Sequence, residues 1–347
     1  MKDVLAEDLE IIRRDEELER LAGNTILVTG ATGLIGSLFI KAVMLFNEDN
    51  QNKIRVIGLV RDFEKARRIF GDLFTNSELF WVQSDLVEFT DIEFDVDYII
   101  HTASVTTSKL FVTNPVETIE TMYCGTKNIL ELAREKKCKS VVYLSSMEMY
   151  GVPDAGLPKV QEKDLGYIDV LNVRSSYSEG KRIAECLCAS YCDEYGVPVK
   201  IARLAQTFGA GILQQDNRVY AQFARSVLNK RDIVLHTEGK SYGNYCYTTD
   251  AIRALILLLN KGENGQAYNV CNEETTTTIA DMAKMVNQEF GDGSIKVIFD
   301  IPKDQKTYGY APDVKMCLSS EKLRMLGWIP QYSLSQMYER MIAYMLE

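Results

Sequence analysis

Tyr177 and Lys181 stand four residues apart in the run Tyr-Ser-Glu-Gly-Lys. On a helix this spacing places both side chains on one face, about one turn from each other. A positive neighbour favours the phenolate and lowers the pKa of a tyrosine. A phenolate available near neutral pH is a general base for the proton of an alcohol, which hydride abstraction from that alcohol requires. The same spacing is also typical of a solvated helix face, so the interpretation needs support from elsewhere in the chain.

That support comes from a glycine-rich turn near the start of the chain. A short apolar, β-branched run from Thr25 to Thr29 precedes the turn, and an apolar helical stretch from Leu38 to Leu45 follows it. Strand, glycine turn and helix together are typical of a dinucleotide site, because glycines permit the turn and the close approach of a pyrophosphate to the helix start. A plain connecting loop is the alternative. The residues predicted to bind the dinucleotide here are Gly30, Thr32, Gly33, Leu34, Ile35 and Gly36.

Composition excludes several classes of protein. The chain of 347 residues has a net charge of -10, which argues against a non-specific nucleic-acid binder. Its eight cysteines include no CxxC pair, and with only two histidines we expect free thiols and no metal site. No apolar run reaches transmembrane length and no secretion signal is present, so we expect a cytoplasmic protein with a small-molecule substrate and no membrane partner.

Strand and helix patterns alternate over about two hundred residues, which predicts an α/β fold with a Rossmann-type doubly wound parallel sheet. The further predicted strands are Ile54 to Val60, Leu79 to Gln83, Tyr98 to His101, Ser140 to Leu144 and Val199 to Ala202. The predicted helices between them are Phe63 to Phe74, Val116 to Glu135 and Ser176 to Tyr195. Apolar residues spaced roughly one turn apart in the first twenty positions predict an additional amphipathic helix packed outside the sheet.

After Arg203 the alternation loosens, and glycine-bearing loops separate shorter helices. This change predicts an N-terminal helix plus dinucleotide-binding domain at residues 1–205. A smaller, mainly substrate-binding α/β lobe is predicted at residues 206–347, with segments returning to the first domain. The helices predicted in the second lobe are Val219 to Leu228, Ala251 to Leu259, Ile279 to Phe290 and Leu334 to Met345.

Further motifs follow the glycine turn in a fixed order. They are Asp85-Leu86 after the third strand, His101-Thr102-Ala103-Ser104 after the fourth, Ser145 to Gly151 after the fifth, and Leu326 to Pro330 near the end. With these motifs the chain, from about Thr25 onwards, resembles the extended short-chain dehydrogenase/reductases of the nucleotide-sugar epimerase, dehydratase and decarboxylase group. The run from Arg174 to Arg182 is most similar to UDP-glucuronate decarboxylases, and Pro312-Asp313 is compatible with them.

The resemblance implies catalysis through a transient 4-keto sugar. Tyr177 takes the alcohol proton while hydride passes to the nicotinamide, Lys181 lowers the pKa of Tyr177 and holds the nicotinamide ribose, and Ser146 hydrogen-bonds the reacting oxygen. For Ser146 the alternative is a hydroxyl that only caps the strand end, and for Asp85, implied to bind the adenine, it is a surface turn acid. The implied cofactor residues beyond the glycine turn are Arg61, Asp85, Leu86, Thr102, Ala103, Ser104, Tyr177 and Lys181.

Glu148 bears on which reaction follows. In the 4,6-dehydratases that the chain resembles, an Asp-Glu pair comes after the catalytic Ser or Thr, and the Asp is the acid for loss of water. Met147 occupies the Asp position here and cannot donate a proton. Glu148 remains available for chemistry at C5 or beside a carboxylate, and decarboxylases also have a Glu at this position. A Glu148 side chain that only points into solvent is the alternative.

Three positions depart from the family pattern. Gly243 stands where many members have an Arg that binds the nucleotide phosphates, and Gln206 and Met122 each replace an expected Asn. Losing a bidentate phosphate ligand is not conservative. Either the substrate is not a standard nucleotide diphosphate sugar, or a different cation replaces the missing one, with Arg218, Arg225 and Lys240 as candidates. Gln206 and Arg218 are the predicted substrate-binding residues.

The choice between NAD and NADP depends on the end of the second strand. NAD-specific members have an acid there for the ribose 2′-hydroxyl, but Val60 occupies that position and Arg61 follows. An arginine suits a 2′-phosphate, so the sequence leans to NADP. NAD stays open because Asp62 could reach a hydroxyl.

Three functional hypotheses follow. The first is a nucleotide-sugar enzyme that epimerises or decarboxylates through a 4-keto intermediate. The second is an NADPH-dependent sugar or carbonyl reductase. The third is a dinucleotide-sensing protein with a dead active site, which an intact set of Ser146, Tyr177 and Lys181 disfavours. Members of this family often dimerise through the helices after the fourth and fifth strands, here Val116 to Glu135 and Ser176 to Tyr195, so we expect a homodimer.

Overall fold

The computed structural model describes residues 3–89, 91–301 and 313–347, so Pro312 lies outside the described residues. Its centre is a seven-stranded sheet in the order β10-β6-β5-β4-β1-β2-β3, in which every pairing is parallel. The order reverses between β1 and β4, as in Rossmann folds. The predicted fold class is confirmed. The strands are β1 (Thr25–Thr29), β2 (Arg55–Val60), β3 (Leu79–Gln83), β4 (Tyr98–His101), β5 (Ser140–Ser146), β6 (Val199–Leu204) and β10 (Ala267–Val270).

The register of this sheet brings three chain segments to one edge. Thr29 pairs with His101, and His101 pairs with Tyr143, so the carboxyl ends of β1, β4 and β5 lie side by side. β1 and β2 are almost entirely buried because helices cover both faces of a parallel sheet. Ligands of doubly wound sheets bind at this edge, beside the point where the strand order reverses.

Helices cover the two faces of the sheet and build much of the second lobe. They are α1 (Val4–Arg13), α2 (Glu16–Glu19), α3 (Leu34–Asp49), α4 (Phe63–Phe70), α5 (Ser108–Thr113), α6 (Pro115–Glu135), α7 (Ser175–Tyr195), α8 (Val219–Leu228), α9 (Thr248–Lys261), α10 (Ile279–Phe290), α11 (Glu321–Arg324) and α12 (Leu334–Met345). None of the helices in the described ranges is both long and apolar enough to span a bilayer.

Two predicted helices were drawn too long. The helix predicted from Phe63 to Phe74 ends at Phe70, because Gly71 has a φ of 52° and a short 3-10 turn (Gly71–Thr75) follows. The single helix predicted at the start of the chain is two helices, α1 and α2. The chain breaks between them because the Asp15 side chain caps α2 by accepting the backbone N–H of Glu17.

The second lobe is built on β9 (Tyr242–Tyr247), with β7 (Gln206–Phe208), β11 (Asn272–Thr278) and β13 (Lys315–Met316) paired to it. A separate parallel pair joins β8 (Ile233–Leu235) to β12 (Val297–Phe299). β10 and α9 come from the same half of the chain but pack into the large sheet and its core. The helix predicted from Ala251 to Leu259 therefore lies on the Rossmann sheet, whereas the boundary drawn at residue 205 stays a prediction.

Candidate active site

The glycine turn between β1 and α3 has the shape of a cradle for an anionic group. Gly30 has a φ of 64°, and a Cβ there would lie 2.6 Å from Thr102 Oγ1. A Cβ on Gly36 would lie 2.6 Å from the carbonyl oxygen of Gly30. Gly33 starts α3 and supplies no side-chain cap, so the first backbone N–H groups of the helix face outwards without an intrahelical partner. Free amides at a helix start, with glycines that let a ligand approach, fit the pyrophosphate of a dinucleotide.

The segments after β3 and β4 complete the rim of this cradle. Thr102 Oγ1 donates to the Thr29 carbonyl at 2.7 Å, and the Ala103 N–H donates to Thr29 Oγ1 at 3.1 Å. Leu86 is buried, whereas Asp85 is exposed and its Oδ1 accepts the Val87 N–H at 2.9 Å. Asp85 thus belongs to a surface turn, which is the alternative considered for it in the sequence. Its binding to adenine through the second carboxylate oxygen stays a prediction.

Asn128 supports the same rim and was missed in the sequence. Its Nδ2 donates to the carbonyl oxygens of Leu86 at 2.9 Å and Val87 at 3.0 Å. Gly125, one turn earlier on α6, leaves room for Leu86, because a Cβ there would lie 3.1 Å from the Leu86 Cβ. The signal available in the sequence was a polar residue three positions after Gly125.

Arg61 and Asp62 follow β2, at the position that distinguishes NAD from NADP. Asp62 Oδ1 accepts the Lys65 N–H at 3.0 Å and so caps α4. Arg61 is exposed, and its carbonyl accepts Gln83 Nε2 at 3.1 Å. Within the described ranges no hydrogen bond or ion pair engages the Arg61 guanidinium. Asp62 is thus committed to the cap of α4 and the Arg61 guanidinium is available, and the lean to NADP stays a prediction.

Ser146, Tyr177 and Lys181 come together where β5 ends against the first turns of α7. The Ser146 and Ser104 hydroxyls lie close enough to the Tyr177 phenol to favour its ionised form, which lowers its pKa in opposition to burial. Ser146 Oγ also accepts the Glu148 N–H at 3.2 Å, so the same hydroxyl caps the short 3-10 turn Met147–Tyr150. The cap considered for Ser146 is therefore present, and its catalytic role stays a prediction.

Burial decides the charge states of the tyrosine and the lysine. Tyr177 is 8% exposed, and burial together with the Glu148 charge raises its pKa to about 12. Lys181 is 2% exposed, and burial lowers its pKa to about 8. The Lys181 ammonium donates to the Leu144 carbonyl at 2.7 Å and lies 5.8 Å from the centroid of the Tyr177 ring. In the protein alone, desolvation outweighs the charge effects at Tyr177, so the expected lowering of its pKa by Lys181 stays a prediction.

Two buried residues behind Lys181 also escaped notice in the sequence. Glu185, one turn further along α7, forms a bidentate pair with Arg203 of β6, whose Nε lies 3.0 and 3.1 Å from the two carboxylate oxygens. The Glu185 charge raises the pKa of Lys181, opposing burial. Four residues separate Glu185 from Lys181, but nothing local in the sequence indicates that Arg203 is its partner.

Glu148 faces the tyrosine and pairs with an arginine. Arg174 Nη1 donates to Glu148 Oε2 at 3.2 Å, and the negative charge of Glu148 is close enough to raise the pKa of Tyr177. Met147 precedes it without any proton to donate. The side chain of Glu148 is therefore paired at the site while it remains 37% accessible to solvent, and its catalytic role stays a prediction.

The predicted substrate residues lie on the second-lobe side. Arg218 Nε contacts both oxygens of Asp216 at 3.0 Å, and the positive charge of Arg218 lowers the pKa of Tyr177. Gln206 is exposed at the start of β7. Gly243 lies within β9 and offers no side chain. Among the three replacement cations considered, Arg225 bonds loop carbonyls and Lys240 pairs with Glu238, so Arg218 is the one whose charge reaches the tyrosine.

Neither metal nor disulfide chemistry is indicated in the part of the chain that the structure describes. No group of three or more His, Cys, Asp or Glu side chains there is arranged to hold a metal ion. The eight cysteines are unpaired, and most are buried.

Comparisons with known proteins agree with this geometry. Residues 26–271 match the model of the NAD dependent epimerase/dehydratase family. UDP-glucuronic acid decarboxylase 1 of Xenopus tropicalis is 28% identical over 324 residues, covering 92% of this chain and 71% of that protein. UDP-glucuronic acid decarboxylase 3 of Arabidopsis thaliana is 30% identical over 314 residues, covering 90% and 86%. Across the first three such relatives, this chain spans 66% to 71% of their length.

A solved structure shares the fold. UDP-glucuronic acid 4-epimerase from Bacillus cereus, in complex with UDP-glucuronic acid and NAD, superposes with a TM-score of 0.75. The two chains are 21% identical, and the match covers 93% of this chain and 99% of that one. At this identity the likeness shows the fold alone.

Proposed function

The chain belongs to the NAD dependent epimerase/dehydratase family and is therefore a nicotinamide-dinucleotide enzyme, and on that premise we propose that it converts a nucleotide sugar through a transient 4-keto intermediate. The observation that supports this most is the grouping of Ser146, Tyr177 and Lys181 beside the glycine cradle. The named relatives favour loss of the C6 carboxylate of a sugar uronate as the outcome. We take decarboxylation as the leading reaction and epimerisation as its nearest competitor.

The residues of the cradle would hold the cofactor. The amides of Leu34, Ile35 and Gly36 would bind the pyrophosphate, Asp85 and Leu86 would bind the adenine, and Thr102 to Ser104 would border the nicotinamide half. When bound in its oxidised form, the nicotinamide supplies a hydride acceptor and a positive charge. The Lys181 ammonium contributes a second positive charge, and its hydrogen bond to the Leu144 carbonyl fixes its position.

Tyr177 and Ser146 handle the proton of the sugar hydroxyl. The protein alone keeps Tyr177 as a phenol, because burial raises its pKa to about 12. Ser146 ends β5 close to the phenol, where its hydroxyl can accept from the sugar hydroxyl and donate to Tyr177. A positive charge that arrives beside this group favours the phenolate and makes Tyr177 the proton acceptor.

Glu148 and Met147 bear on the second half of the reaction. A ketone at C4 lies β to a carboxylate on C5, so the bond to that carboxylate can break with its electrons passing to the ketone, and C5 is then protonated. This step needs no acid at position 147, whereas loss of water does, and Met147 cannot supply one. Glu148, which pairs with Arg174, would act near C5.

Product mass distinguishes the chemistries. Purified protein incubated with a panel of nucleotide sugars, including a nucleotide uronate, should yield a product that has lost carbon dioxide. Loss of water would indicate a dehydratase, and an isomer of unchanged mass an epimerase. The Tyr177→Phe variant serves as the control for contaminating activity. If no nucleotide sugar is converted, the proposal is wrong.

Arg61 favours a second candidate, an NADPH-dependent sugar or carbonyl reductase. Its guanidinium is exposed at the cofactor-selective position while Asp62 caps α4. A reductase consumes one NADPH for each ketosugar and adds two hydrogens to the product, whereas a decarboxylase or epimerase recycles its cofactor. Stoichiometric NADPH consumption would therefore favour the reductase. The lean to NADP is tested by Arg61→Ala, which should weaken NADP binding and leave NAD binding unchanged, with Arg68→Ala on α4 as control.

A further inference from the structure

Arg174 lies immediately before α7 and contacts two other segments. Its Nη1 donates to Glu148 Oε2 at 3.2 Å, in the 3-10 turn after β5. Its guanidinium carbon lies 5.4 Å from the centroid of the Phe111 ring on α5. Its backbone N–H donates to Asn172 Oδ1 at 3.0 Å, which fixes the backbone from which the side chain extends. One arginine therefore links the ends of three elements.

Both contacts of the Arg174 guanidinium adjoin the tyrosine. The Phe111 ring stacks on the Tyr177 ring with centroids 4.3 Å apart and planes 16° apart. The Ser176 hydroxyl donates to the Phe111 carbonyl at 2.9 Å, so α5 is fastened to α7 at the same place. Glu148 lies on the other side, close enough for its charge to act on the phenol.

An arginine suits this position for two reasons. Its planar fork directs a hydrogen bond to a carboxylate, and the same plane can stack on an aromatic ring. A lysine could satisfy the charge but would match neither geometry as well. Among the described residues, Arg174 is also the one cation paired with Glu148.

We propose that Arg174 is a positioning residue that holds the Glu148 carboxylate directed at the reacting sugar, and holds Phe111 flat against Tyr177. This inference rests on the proposed function, because Glu148 matters only if chemistry takes place near C5. Arg174 acts through Glu148 and Phe111 and touches no reacting atom. Its positive charge also offsets the Glu148 charge at the phenol, so its loss should make Tyr177 harder to ionise.

The test compares Arg174→Met, Arg174→Lys, Glu148→Gln and the double variant Arg174→Met/Glu148→Gln, on the substrate that wild-type protein converts. Arg174→Met should lower kcat by about tenfold or more and leave KM within about threefold, since a positioning role is felt in the transition state. The rising limb of its kcat–pH profile should move to higher pH. Arg174→Lys should restore most of kcat.

The double variant should be no worse than Glu148→Gln alone, because without the carboxylate Arg174 has little left to hold. Arg134→Met is the matched control. Arg134 also pairs with a glutamate, Glu131, and lies 4.9 Å from the centroid of an aromatic ring, Tyr195, but far along the helices. That variant should keep the wild-type kcat and pH profile.

The outcomes separate the two proposals. Wild-type protein that converts no nucleotide sugar would refute the proposed function and this inference with it. Active wild-type protein whose Arg174→Met variant keeps its kcat and pH profile would refute the inference alone. So would a kcat loss that is equal at every pH and additive with Glu148→Gln, because that pattern indicates a purely structural role.

Discussion

At this site, burial affects the pKa values of single residues more than their neighbours in sequence do. Tyr177 and Lys181 share a helix face, as their spacing predicts, but desolvation raises the pKa of Tyr177 and lowers that of Lys181, so the two values move apart. The protein alone therefore stabilises a neutral phenol beside a lysine that loses its proton at about pH 8. We expect the site to change its protonation state when a charged ligand arrives rather than to hold a permanent phenolate.

Replacing the tyrosine tests this directly. In Tyr177→Phe, kcat should fall by about 10² to 10⁴, the usual contribution of general acid–base catalysis. Unfolding should change little, because phenylalanine keeps the stack on Phe111. Tyr195→Phe, at the far end of α7, is the control and should be fully active. Unchanged turnover in Tyr177→Phe would support the hypothesis of a dinucleotide-sensing protein.

His101 provides a second residue-level prediction, on stability. It is buried between Thr29 Oγ1 at 2.7 Å and Thr126 Oγ1 at 3.2 Å, and burial lowers its pKa to about 3. Because the folded pKa is below the unfolded value, the stabilisation is complete above about pH 6.5 and is lost as the pH falls towards 3. Over that window the group can contribute up to about 5 kcal/mol.

Urea denaturation at several pH values checks this. The free energy of unfolding of His101→Asn should depend less on pH than that of wild type between about pH 6.5 and 3. The control is His236→Asn, at the other histidine of the chain. Identical pH dependence in His101→Asn and wild type would show that the buried histidine is not the group responsible.

At the scale of elements, local sequence predicts well what local geometry determines. The glycine turn, α3 and the Tyr177 helix follow from residues that lie within a few positions of each other. Features that depend on distant partners could not be predicted in this way. Arg203 meets Glu185 across 18 residues, and Asn128 supports the loop after β3 from 42 residues away. The end of α4 at Gly71 was missed because an apolar periodicity continues through it.

The glycine turn gives an element-level prediction. In Gly36→Ala the new methyl group would lie 2.6 Å from the Gly30 carbonyl oxygen, so α3 must move away from the turn. Dinucleotide affinity should fall by about tenfold or more, equivalent to about 1.4 kcal/mol. Gly196→Ala is the matched control. It has a φ of 70° and open space around it, so it should lose about 1 kcal/mol of stability and no affinity.

The packed helices α6 and α7 give a second element-level prediction, which concerns the oligomeric state. They pack along each other, and each exposes apolar side chains, with Ile119 43% and Ile183 42% accessible. The predicted homodimer should pair these faces between two copies, and light scattering should report twice the chain mass. Ile119→Glu should shift the protein to monomer, whereas Leu171→Glu, 91% exposed on the preceding loop, should not. A monomeric wild type would rule the homodimer out.

At the scale of the whole molecule, the segment before β1 connects the two sheets. It precedes residue 26, where the match to the family begins. Asp8 on α1 accepts from Arg340 Nη2 of α12 at 2.7 Å and from the Tyr247 hydroxyl of β9 at 2.5 Å. Asp15 accepts from Arg253 Nε of α9 at 2.8 Å. The pattern of apolar residues predicted a helix here. The polar partners of Asp8 and Asp15 lie so far along the chain that this local pattern could not predict them.

Asp8 is the residue to change. It is 3% exposed, and Asp8→Ala leaves the Arg340 charge and the Tyr247 hydroxyl without their acceptor. The free energy of unfolding in urea should fall by about 3 kcal/mol. Glu10→Ala, which removes an exposed pair with Arg14 on the same helix, should cost less than about 1 kcal/mol. Equal effects of the two substitutions would mean that the segment is not a structural connection.

The contact between Asp8 and Arg340 joins residues 332 positions apart. During synthesis, Asp8 leaves the ribosome 332 residues before Arg340. Helix α1 can pack its apolar face on α3 as soon as both are made, but its buried acid must wait for its cation until α12 has been translated. The joining of the two lobes through this contact therefore follows the synthesis of α12, and a chain stalled before α12 would expose an unmatched carboxylate at the centre of the fold.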